Sequence, residues 1–90
     1  MAFIITKSID EHIKESILVI NQLASDKILL RYPLYKQLNT ARTDQAQVMY
    51  GWIDSIRLTA NNAQAAIYVA PSIGIMRVIV SDYKTFLITL

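Results

Sequence analysis

One run of apolar residues constrains this chain more than any other feature. Met49, Ile53, Ile56, Ala60, Ala63 and Ile67 follow one another at spacings of 4-3-4-3-4. This is the a/d repeat of a helix that lays one stripe against other helices, as in a coiled coil. The spacing predicts a helix over about residues 44–67, with Thr43 and Asp44 offering an N-cap and an early acid that suits the helix dipole. The small residues Ala60 and Ala63 allow a neighbour to come close. Gly51 lies inside this helix at a cost of about 1 kcal/mol relative to alanine; close approach of another backbone would account for it.

A second stripe precedes the first. Ile9, Ile13, Ile17, Ile20, Ala24 and Ile28 recur at spacings of 4-4-3-4-4 and make one helical face. Ser8 and Glu11 form a capping-box pattern at its start, and Pro33 disfavours a helical Tyr32 at its end. A helix over about 9–31 follows. An intramolecular pair would set Ile13, Ile17, Ile20 and Ala24 against Ile53, Ile56, Ala60 and Ala63; an intermolecular bundle would bury the same stripes.

The ends of the chain carry a different signal. Residues 2–6 (AFIIT) are aromatic and β-branched and read as a short strand or an N-terminal extension. IMRVIV (75–80) and TFLITL (85–90) are also rich in β-branched residues, with SDYK (81–84) between them as a turn. Phe86 and Ile88 then fall on a terminal strand whose free edge could pair with a neighbour's sheet. The expected fold class is α+β: two long helices joined by a Tyr-Pro corner, then a C-terminal β-hairpin that the N-terminal strand could join.

The chain has 90 residues, enough for one domain over 1–90. It is 53% hydrophobic and only 18% charged, which leaves little polar skin for a small monomer and points to burial against a partner. Its net charge of +2 is spread over interleaved acids and bases, unlike the dense basic stripe of a nucleic-acid protein. With no cysteine, disulfide scaffolds, thiol catalysis and Cys-ligated zinc are excluded. The run at 67–76 is broken by proline and glycine and is too short to span a bilayer, and no targeting pattern is visible. A soluble chain is expected.

Legible chemistry is sparse. His12 is the sole histidine and stands beside Glu11 and Glu15 in a helix, a weak basis for a metal site. Neither a phosphate loop nor a nucleophile–histidine–acid set is present. No enzyme, cofactor or metal is expected. The richest stretch is RYPLYKQLNTAR (31–42), in which Tyr32 and Tyr35 lie among Lys27, Arg31, Lys36 and Arg42. Tyrosines amid cations can stack bases, but they also pack a helix–helix corner well, and corner packing is favoured here over contact with nucleic acid. Gln37 and Asn39 suit the unpaired backbone groups of such a turn, and Arg42 could approach the end of the first helix or Asp54. In WIDSIR (52–57), Asp54 and Arg57 share a helix face. Trp52 flanks seam residue Ile53, and either packs on the first helix or anchors an interface.

The ordered set Tyr32, Pro33, Gln37, Asn39, Arg42, Trp52, Ile53, Asp54 and Arg57 resembles a helical segment of bacteriophage and prophage tail-associated proteins. There a helix enters an aromatic-proline corner, and a second helix carries a W/F-I-D-x-x-R core. The likeness covers residues 20–62; the segment is often part of a longer chain in those proteins, and residues 68–90 match nothing in the pattern. It implies a non-catalytic virion component of a tail fibre or baseplate, made in the host cytoplasm, that assembles with itself and with other tail proteins. The alternatives are a tail-fibre assembly chaperone and a small binding or regulatory protein that uses the basic tyrosine corner.

Overall fold

The structure is a computed structural model that describes residues 8–90. The strand expected at 2–6 lies outside the described residues. Four helices follow in order: α1 (Ile9–Arg31), α2 (Leu34–Thr40), α3 (Ala46–Tyr68) and α4 (Ile73–Ile88). Among the described residues there is no strand, so the α+β expectation is corrected to an all-helical bundle.

Helix α1 begins as its sequence requires. The Ser8 hydroxyl accepts from the Glu11 amide at 3.2 Å, which satisfies one of the free amides of the first turn. It ends at Tyr32, whose φ of −127° and ψ of 77° lie outside the helical region, as the following proline demands. The corner is more ordered than a turn. Pro33 precedes the two-turn helix α2, and its carbonyl accepts from the amides of Lys36 and Gln37 at 2.8 and 2.9 Å. Helix α3 starts at Ala46, and neither Thr43 nor Asp44 caps it; its N-cap, Gln45, makes no side-chain cap bond. Thr43 instead closes the preceding loop. Its hydroxyl donates to Thr40 O at 2.8 Å and accepts from the Gln45 amide at 3.2 Å.

The two expected strands are one helix, and the expected turn at 81–84 is its middle. The Ser72 hydroxyl accepts from the Ile75 amide at 3.2 Å and caps the start of α4. Met76, Tyr83 and Leu87 are buried, with Ile79, Val80 and Phe86 packed around them. These positions recur three and four apart, a helical stripe that dense β-branching obscured. β-Propensity is a weak preference that burial overrides, and a helix that buries this stripe against two others gains more than an exposed hairpin. Phe86 and Ile88 therefore lie on a helix, and no strand edge is available there for pairing.

Helices α1 and α3 are antiparallel. Tyr32 meets Trp52 at one end, and further along the pair the Gln64 side chain donates to Asn21 Oδ1. Ile20, Ala24 and Ile28 share one core with Ile53, Ile56 and Ala60, and Ile13, Ile17 and Ala63 pack against it. The two stripes thus meet within one chain. Helix α4 closes the third side and runs parallel to α1: Ile73 and Arg77 lie beside His12 and Ser16, and Leu87 and Ile88 beside Leu23 and Leu30.

Gly51 faces open space; a Cβ built there meets nothing within 4 Å. Among the described residues no backbone approaches it, contrary to the sequence expectation. Gly51→Ala should stabilise the protein by about 0.5–1 kcal/mol through the lower entropy of the unfolded chain. A raised urea midpoint at unchanged m-value is the expected measurement.

Tyr83 ties α4 to α3. Its hydroxyl, inside the core, donates to Ile56 O at 3.1 Å. Burial pushes the Tyr83 phenol above its ordinary value of 10.0, because the phenolate would lose its hydration. The folded state therefore holds this proton more tightly than the unfolded state. That contribution is fully present below about pH 10 and is lost as the pH rises toward the folded value. Denaturant midpoints should fall above pH 10, and Tyr83→Phe should flatten that part of the fall.

Candidate functional site

The corner brings together residues from three helices. The rings of Tyr32 and Trp52 meet edge to face, with centroids 5.6 Å apart and planes at 63°. The Arg31 guanidinium stands 4.7 Å from the Trp52 ring and 5.3 Å from the Tyr32 ring. Lys36 approaches Tyr32 at 5.6 Å. Such cation–ring contacts stabilise by about 0.5–1 kcal/mol where water has access. Gln37 Nε2 donates to Tyr32 O at 2.7 Å. It satisfies the carbonyl that Pro33 leaves outside the helix ladder, the role expected of an amide at this turn.

The proposed site residues thus divide. Tyr32, Trp52 and Gln37 converge on the corner, with Pro33 half-buried between α1 and α2. Ile53 and Ile56 are core. Tyr35, Asn39, Arg42, Asp54 and Arg57 are exposed. Arg57 lines a groove of mixed character, with Asn21, Gln37 and Asn61 on its polar side and Ile28, Leu29 and Leu34 on its apolar side. Phe86 packs beside Tyr83, with ring centroids 6.0 Å apart, whereas Ile88 projects outward.

The corner offers little to a stacking base. Tyr32 is only 8% exposed, and Arg31 covers the Trp52 ring. Trp52 Nε1 is itself buried, with no hydrogen-bond partner among the described residues. Tyr35, 68% exposed, is the free ring of this cluster. The geometry is that of a brace that holds α1, α2 and α3 at a set angle.

Several large apolar side chains lie on the surface away from the corner. Leu18, Leu58, Val69 and Val78 are exposed. A cleft between α1 and α4 is floored by Leu23 and Leu87 and flanked by Leu30, Ile88, Lys27 and Lys84. Sequence reasoning missed this cleft. Its signal was the pair Leu23 and Leu30, one heptad apart and beside the main stripe of α1. Among the described residues, no group of three or more His, Asp or Glu is placed to hold a metal ion. None of the described helices is long and apolar enough to cross a membrane.

No family model matches the chain, and comparison with curated proteins and with solved structures finds no match.

Proposed function

We propose that this protein works by protein–protein association, as a small helical subunit of a larger assembly. The observation that carries this is the amount of apolar surface left outside a completed core. More large apolar side chains are exposed than are buried in the described bundle, and Leu30 and Ile88 are more than 80% exposed beside an apolar cleft. Scattered apolar residues are ordinary on a surface, but a clustered set with a cleft marks an interaction site. The resemblance of residues 20–62 to tail-associated proteins supports a bacteriophage tail fibre or baseplate as that assembly, with copies of itself and other tail proteins as partners. In this reading the corner fixes the angle between helices and makes no contact with nucleic acid.

Native mass, measured by light scattering on a size-exclusion column over a hundredfold concentration range, tests this. A discrete oligomer is expected. A monomer at every concentration would overturn the subunit reading in favour of an assembly chaperone, which exposes apolar surface only to a transient client.

A further inference from the structure

The parallel pair α1 and α4 leaves a groove on the outer face of the bundle. Two clefts follow one another along it, the upper about 350 Å³ in volume, and Lys84 borders both. No residue of α3 lines either cleft. In the upper cleft, Leu30 and Ile88 stand as knobs, 83% and 82% exposed, on either side of a floor made by Leu23 and Leu87. Knob and hole thus belong to one patch, the requirement for a surface that binds a copy of itself across a twofold axis.

The charges select the direction of that axis. The α4 wall carries only cations, Arg77 and Lys84, while the α1 wall carries Glu15 and Asp26 with one cation, Lys27. Glu15 shares the lower cleft with Arg77, and Asp26 shares the upper cleft with Lys84. A twofold axis along the bundle sets α1 of one copy against α4 of the other, both running the same way. Asp26 of each copy then meets the other copy's Lys84 at the level of the upper cleft. A twofold axis across the bundle would set α4 against α4, cation wall against cation wall.

We propose that a second copy of this chain docks on the α1–α4 groove, parallel to the first, with Asp26 of each copy against the partner's Lys84. This rests on the association reading above and names the face and its first occupant. The knobs of one copy fill the cleft of the other, and the charge pairs set register and direction more than raw affinity. Asp26 also accepts from Gln22 Nε2 at 2.7 Å, which holds its carboxylate at the rim of the groove.

The test uses two charge reversals in the full chain, Asp26→Lys and Lys84→Glu. Each alone makes two like-charge junctions in its homodimer. Each should weaken dimerisation by at least about tenfold, since exposed pairs are modest singly but here occur twice. Mixed in equal amounts, the two variants form a heterodimer in which both junctions are attractive, and dimer should return. Ion pairing within one chain cannot produce that rescue. Helical circular dichroism verifies folding, and Asp26→Arg with Lys84→Asp carries the same test if either first variant misfolds. Variants that associate like the wild type would overturn this face while association itself stands. So would a mixture that stays monomeric while the wild type dimerises. A wild type that is monomeric throughout would overturn both proposals.

Discussion

Ser81→Pro is expected to destabilise the protein by about 3 kcal/mol or more and to lower its helical circular dichroism. Ser81 lies in the middle of α4. Proline there removes the amide that bonds one turn back, and its ring collides with the carbonyl of Arg77. A kink at this point also lifts Tyr83 and Leu87 away from the core that they help to close. The substitution separates helix from hairpin, because a chain that turned at residue 81 would have no helical ladder there for proline to break. Ser81→Ala, which keeps the amide, should change stability by no more than about 0.5 kcal/mol. Equal urea midpoints for the proline and alanine variants would rule out a continuous α4.

Ile56→Ala should cost about 2–5 kcal/mol. Ile56 is fully buried in α3, and its carbonyl receives the Tyr83 hydroxyl from α4. Truncation leaves a void that two long helices cannot close without moving, so a cavity term adds to the lost transfer energy. A domain of this size is stable by only about 5–13 kcal/mol, so a large share of the total is at stake. The contrast is Ile88→Ala. Ile88 is exposed, and its loss should leave monomer stability within about 0.5 kcal/mol. Chemical denaturation at a low protein concentration measures both. A cost at position 56 no larger than that at 88 would contradict the core described above.

The helices with strict periodicity were legible in the sequence. The capping serine at 8, the stripe to Ile28 and the proline at 33 delimit α1 by local rules alone. The seam from Met49 to Ile67 identifies the buried face of α3, and five of its six positions are buried. The role of Gln37 was legible as well, because a proline corner leaves a carbonyl in need of a donor. The position of Arg31 over Trp52 was not. It depends on the registry of α1 against α3, which brings together residues more than twenty positions apart.

Local sequence therefore determined α1, α3, the break between them and the stripes that they bury, because capping, proline sterics and a 3.6-residue period act within a turn or two of chain. It did not determine the state of residues 73–88, where β-branching favours a strand and the spacing of Met76, Tyr83 and Leu87 favours a helix. Tertiary structure decided that contest. Paired on their own, α1 and α3 leave one side of their apolar faces in water, and a helix that carries its own stripe covers that side. The energy gained by burying Met76, Tyr83 and Leu87 between two helices exceeds the few tenths of a kcal/mol per residue by which β-branched residues disfavour a helix.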